Sequence, residues 1–264
     1  FKDVKGIGWY VDIYNRAQIS INFNNFKVST IHDVFDAACI LANERGIRVT
    51  GSELVGLIPL EAMLMAGRHY LNKQNRSLGV PTADIVECAV QSLGLNDVTE
   101  FDPNVKIIDY AVQSEERPLM NLVGKEFVEE LSTNSPAPGG GSVSALVGAL
   151  GAALSSMVAA LSHEKKELLD LKPEMNEIGI EAQNLKDRLS FLVDEDTNAF
   201  NKVMDANRLS ATNDEEQSAK NQAIEIANKY AIEIPMETAK KCFRVIELAD
   251  TLVEKGNPNS VSDA

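Results

Sequence analysis

The chain has 264 residues, 44% of them hydrophobic and 24% charged, which is the balance of a globular protein rather than of a disordered or fibrous one. Its 39 Asp and Glu outnumber its 25 Lys and Arg, giving a net charge of −14, and the excess is uneven: residues 1–113 carry 10 basic and 13 acidic side chains, residues 114–264 carry 15 and 26. Phosphate backbones and anionic membranes are bound through clustered Lys and Arg, so neither a nucleic-acid nor a membrane partner is expected.

At about 100–150 residues per domain, the length suggests two domains, each able to bury a core. Phe1 stands where an initiator Met would, and the chain stops at Asp263-Ala264, so both ends are expected to be cuts through a longer protein. Residues 1–25 hold no cationic stretch followed by an apolar core, so no signal peptide is expected. Cys39, Cys88 and Cys242 lie far apart without a C-x-x-C pair. That spacing gives neither a disulfide framework nor a zinc signature, and a reducing cytoplasm is the expected setting.

In chain order, Trp9-Tyr10-Val11 and Gln18 to Phe23 read as strands, the second with period-2 alternation. Ser29 or Thr30 can cap a helix carrying Ile31, Val34, Phe35, Ala38, Leu41 and Ala42, and Gly46 ends it. Ile47-Arg48-Val49 predicts a short strand. Pro59 suits the first turn of a helix running to about Leu71, and Thr82 predicts a cap for another ending near Gly94. Residues 1–112 are therefore expected to form a small α/β domain, a mixed sheet with helices. Residues 113–119, polar and Pro-punctuated, predict a linker. From there the pattern is helical only: a helix over 122–131, a loop over 132–142, and long helices to Lys255, with Pro235 either breaking or kinking one of them. The fold class is thus a two-domain α+β chain whose second domain, 120–264, is an all-α helical bundle.

Residues 143–161 carry no charge, long enough for a membrane span of about 20 residues. The stretch is built of Ala, Ser, Gly and Val, which gain little on insertion, so a tightly packed buried helix is the preferred reading.

Two features could carry chemistry. Pro136-Ala137-Pro138-Gly139-Gly140-Gly141-Ser142 runs straight into that uncharged helix. Glycines let backbone approach a ligand, and a helix start offers unpaired N–H groups, although Gly-Gly-Gly-Ser is equally the composition of a flexible connector. The second feature is Asp194-Glu195-Asp196. At about 100° per residue from Leu192, Asp196 falls near 40°, within a stripe made by Leu185, Leu189, Phe200 and Val203, and Asp194 falls near 200° on the opposite face. A carboxylate turned into a bundle is either satisfied by partners or free to exchange a proton as a general acid–base. His32 and His69 read as helix-surface residues and His163 as a cation at a helix end. Ser262-Asp263 reads as a helix cap, with a ligand contact as the minor alternative.

Two sets of motifs resemble one family. Gly8-Trp9-Tyr10, Ala17-Gln18-Ile19-Ser20 and the run from Val49-Thr50-Gly51-Ser52 to Leu54-Val55-Gly56-Leu57-Ile58-Pro59-Leu60 are similar to the C-terminal subdomain of glutamate formiminotransferase. Ser135 to Val143 and Val193 to Phe200 are similar to formimidoyltetrahydrofolate cyclodeaminase, and the order matches the bifunctional formimidoyltransferase-cyclodeaminases. The resemblance implies transfer of a formimino group from formiminoglutamate to tetrahydrofolate, then ring closure to 5,10-methenyltetrahydrofolate with loss of ammonia. It implies Asp196 as catalytic residue and Gly139, Gly140, Gly141, Ser142 and Asp263 as folate contacts. A polyglutamated tetrahydrofolate substrate, no metal, and a cytoplasmic homo-oligomer are further implied. The transferase subdomain with the catalytic histidine has no counterpart in the chain. A non-catalytic folate-binding or oligomerisation module is therefore the competing expectation.

Overall fold

The computed structural model describes residues 1–13, 15–112 and 118–264. It divides into two compact units, residues 1–114 and 115–264. Of the linker expected at 113–119, residues 113–117 lie outside the described residues.

In the first unit, β1 (Val4–Val11) and β2 (Arg16–Phe23) form an antiparallel hairpin with Val4 opposite Phe23 and Trp9 opposite Gln18. Among the described residues no third strand joins this sheet, and parallel pairing is confined to one bridge, Ile58 with Ile107. Residues 47–49 are not a strand. Gly46 takes φ +72° at the end of helix α1 (Ile31–Asn43), and the Ile47 N–H turns back to the Ala42 carbonyl at 3.1 Å. The β-branched residues are thus used to close a helix rather than to extend a sheet.

Thr30 caps α1 by accepting the Asp33 N–H. Pro59 sits one residue before α2 (Leu60–Lys73), where Asp109 accepts the Leu60 N–H at 2.7 Å in place of a capping side chain. Thr82 is the first residue of α3 (Thr82–Leu93) and does not cap it; Pro81 holds the cap position, and Gly94 ends the helix at φ +62°. Two single turns follow, α4 (Pro103–Lys106) and α5 (Ile108–Ala111). Met63, Ala66, Val86, Ala89, Val90 and Ile107 form the core. The α2 and α3 backbones touch at Gly67, where a Cβ would stand 2.0 Å from the Ile85 carbonyl oxygen.

The second unit is all helix among its described residues. After α6 (Gly124–Leu131) come α7 (Gly140–Glu164), α8 (Lys172–Arg208) and α9 (Asp214–Lys255), with 3-10 turns at Lys166–Leu171 and Pro258–Asp263. The loop expected to reach Ser142 ends earlier, because Gly140, Gly141 and Ser142 already form the first turn of α7. Pro235 neither ends nor divides α9, which continues through it.

On α7 the small residues Ala145, Ala149, Ala152 and Ala159 are buried in a core with Leu189 and Leu192 of α8 and Val245, Leu248 and Leu252 of α9. Small side chains let three long helices approach one another closely. By length and composition α7 could cross a bilayer, yet Ser155, Ser156, Ser162 and His163 are buried on its inner side.

Candidate functional site

The start of α7 and the middle of α8 meet at Asp196. Its Oδ2 accepts the Ser142 backbone N–H at 3.0 Å and the Ser142 Oγ–H at 3.3 Å, and Ser142 Oγ lies 3.4 Å from Thr197 Oγ1. Ser142 is fully buried and Asp196 half-buried. A Cβ on Gly141 would fall 2.1 Å from Asp196 Oδ1, so only glycine lets α7 come this near the carboxylate. Nothing stands within 4 Å of where a Cβ on Gly139 or Gly140 would be. These two glycines face open space, and the first N–H groups of a helix have no intrahelical acceptor. The result is a carboxylate at the positive end of a 25-residue helix, beside a backbone surface a ligand can reach.

Helical phase alone assigned the neighbouring carboxylates wrongly. Asp194, placed by phase on the outer face, is only 5% exposed, and Glu195 is 9% exposed. The stripe argument assumes one buried face, whereas α8 is covered on several. Residues 118–122 lie over the Asp194 side, where Asp194 accepts the Leu119 N–H at 2.8 Å and the Met120 N–H at 3.3 Å. On the α9 side, Glu195 accepts the Tyr230 hydroxyl and has Lys202 Nζ at 3.6 Å. Burial, and then the bond to Glu195, raises the Tyr230 phenol to about 12, so it remains a donor at neutral pH. Both acids are spoken for: Asp194 ties the entry segment to α8, and Glu195 joins α8 to α9. Phe200, placed inside the stripe, is 36% exposed.

The sequence-predicted ligand residues separate into two groups. Gly139, Gly140, Gly141, Ser142 and Asp196 converge. Asp263 does not join them, since its 3-10 turn begins beside the other end of α7, where the Asn257 N–H donates to Ser162 Oγ at 2.8 Å and Lys165 reaches Asn257 Oδ1. Ser142 and Ser162 are separated by about 30 Å of helix at 1.5 Å per residue.

Two of the histidines differ from expectation, while His69 is partly exposed as predicted. His32 is buried and stacked on His69, whose Nε2 meets Asp36 at 3.1 Å. His163 is buried, and burial followed by the nearby Lys172 lowers its pKa, so it is not a cationic helix cap. The three cysteines are free thiols. Tyr230 was not legible as a neighbour of Glu195, because helix α9 is brought to α8 only by tertiary packing.

Residues 1–113 match the model of the formiminotransferase domain, and residues 124–264 match that of the formiminotransferase-cyclodeaminase C-terminal family. A formimidoyltransferase-cyclodeaminase of Dictyostelium discoideum is 40% identical over 242 residues, 90% of this chain and 44% of that protein. The chain thus spans under half of that relative. A methenyltetrahydrofolate cyclohydrolase of Methylorubrum extorquens is 37% identical over 138 residues, 52% of this chain and 66% of that one. A crystal structure of formiminotetrahydrofolate cyclodeaminase from Thermotoga maritima superposes with TM-score 0.48 at 33% identity, covering 54% of this chain and 67% of that chain. With family models matching nearly its whole length, the chain belongs to the formiminotransferase-cyclodeaminase family.

Proposed function

We propose that the second unit is a folate cyclodeaminase that works through Asp196. The observation that carries this reading is the division of labour within one carboxylate. Oδ2 is held by two bonds from Ser142, while Oδ1 has no hydrogen bond among the described residues and lies against Gly141, next in sequence to the open Gly140. Ring closure requires N10 of 5-formiminotetrahydrofolate to attack the formimino carbon of the protonated, positively charged amidine, forming the N10–C bond. The C–N bond to the terminal amidine nitrogen then breaks. The proton lost by N10 is gained by that nitrogen, which leaves as ammonia, and the positive charge stays on the methenyl bridge. One carboxylate free at one oxygen can take the first proton and deliver it to the leaving group. Because the attack is intramolecular, holding the folate in a reactive conformer supplies much of the rate. The polar, Cβ-free surface at Gly139 and Gly140 is suited to that.

The first unit we assign to the substrate-binding half of a formiminotransferase, which would pass the formimino group of formiminoglutamate to N5 of tetrahydrofolate. This assignment rests on the family match alone. The same proposal places the protein in the cytoplasm as a homo-oligomer acting on polyglutamated folate, with no metal required for ring closure. Exposed Val147, Leu150, Leu154, Met157 and Leu161, spaced alternately three and four residues apart on α7, support self-association. A second reading is favoured by the likeness to the cyclohydrolase: water would add to the methenyl carbon, a ring C–N bond would break to leave a formyl group, and one proton would be released.

The test is Asp196→Asn in the 264-residue chain and in the full product of its gene, supplied with 5-formiminotetrahydrofolate. Methenyl absorbance should appear about 10²–10⁴-fold more slowly in the variant while circular dichroism is unchanged. An undiminished rate removes Asp196 from the reaction. Absence of turnover by both unsubstituted proteins favours the binding-module reading.

A further inference from the structure

A separate group of ligating side chains lies in the first unit, and the carboxylate–glycine site uses none of it. His32 and Asp33 occupy the first turn of α1, and His69 lies near the end of α2. The two imidazole rings stack with centroids 4.3 Å apart and planes 24° apart. One nitrogen of each ring and one Asp33 carboxylate oxygen all fall within 4.8 Å of one another. Asp33 is exposed, so its side chain has room to close on a ligand.

The surroundings of His69 are those of a metal ligand. Asp36, one turn along α1 from His32, takes His69 Nε2 at 3.1 Å, the Tyr70 hydroxyl at 3.2 Å and Lys73 Nζ at 2.8 Å. A carboxylate on Nε2 fixes the tautomer and turns the Nδ1 lone pair outward, the arrangement of carboxylate–histidine–metal triads. His32 supplies an independent sign. It is only 8% exposed, and its Nδ1 is buried without a hydrogen-bond partner among the described residues. A buried nitrogen left unpaired is unfavourable unless something absent from the chain itself completes it. Of α1, His32 and Val34 are buried and Ile31 and Phe35 pack against the core, so an ion at His32 would add to the Asp36 bonds that already join α1 to α2.

We propose that His32, His69 and Asp33 bind a divalent transition-metal ion, with Asp36 as the outer carboxylate, and that the ion clips α1 to α2. Two imidazoles and one carboxylate favour zinc or cobalt over magnesium or calcium, whose preferred ligands are oxygens. The sequence carries no local signature for this site, because its ligands come from two helices.

The test is calorimetric titration of the chelator-treated 264-residue chain with Zn²⁺, and with Co²⁺ followed by visible absorption. One equivalent should bind. His69→Gln should weaken binding on the order of 100-fold, and Asp36→Asn about 10–100-fold. His163→Gln, in the other unit, should bind as the unsubstituted chain does. Should His69→Gln fail to fold, Asp33→Asn at an exposed position serves instead, with affinity expected to fall at least about 10-fold. Failure of the unsubstituted chain to bind, or undiminished affinity in the folded ligand variants, overturns the site.

Discussion

Gly140 and Gly141 are adjacent in sequence but have opposite surroundings: one borders open space and the other abuts the Asp196 carboxylate. Their substitutions should therefore move different constants. Gly141→Ala pushes Asp196 away from Ser142, and kcat should fall about 10²-fold, the scale of a 1 Å misplacement at a reacting group. Gly140→Leu intrudes on the ligand side and should raise KM, with kcat nearly kept. Steady-state kinetics separates the two, and a shift of the same constant in both would contradict the assignment. His163 offers a pH test. Its pKa is lowered by burial and by Lys172, so below the unfolded value of 6.5 the unfolded chain binds a proton that the folded chain refuses. Stability is thus lost as pH falls through that window, by at most about 1.4 kcal/mol per pH unit for one group. Urea unfolding of His163→Gln between pH 7.5 and 5.5 should show a flatter dependence than the unsubstituted chain; parallel curves would contradict it.

Helix α8 shows what can and cannot be read from an isolated element. Its apolar Leu185, Leu189 and Leu192 follow from residue order, whereas the grouping of Asp196 with the glycine turn is expected only from the family resemblance. The burial of Asp194 and Glu195 follows from neither, because it depends on residues 118–122 and on Tyr230 of α9, which no periodicity within α8 reveals. In the same way Ile47 to Val49 carry strand propensity, but the turn at Gly46 directs the Ile47 N–H back to Ala42 to close a helix. Close packing of elements gives a prediction in the first unit. Gly67→Ala would set a methyl group against the Ile85 carbonyl of α3, and a backbone atom cannot swing aside as a side chain can. Denaturant unfolding should show a loss of about 1–3 kcal/mol, the usual cost of overpacking, and an unchanged midpoint would contradict the contact.

For the whole molecule, an N-terminal part with strands and helices and a helical C-terminal part were legible because strand signals do not extend past Val49 and helical spacing dominates beyond Pro118. The outer face of α7 was not, since uncharged composition cannot say which side of a helix faces its own chain. Leu154→Glu, in the middle of the exposed stripe, should shift the protein toward monomer in light scattering with little change in secondary structure; an unaltered mass would place self-association elsewhere. The proposed reaction rests on one carboxylate among three consecutive acids. The most direct measurement is the rate of methenyl-folate formation from 5-formiminotetrahydrofolate by Asp196→Asn beside Glu195→Gln. The Asn variant should lose about 10²–10⁴-fold, and the Gln variant, whose amide oxygen can still accept the Tyr230 hydroxyl, should stay within a few-fold of the unsubstituted protein. Equal losses in the two, or a larger loss in Glu195→Gln, would contradict the placing of the chemistry at Asp196.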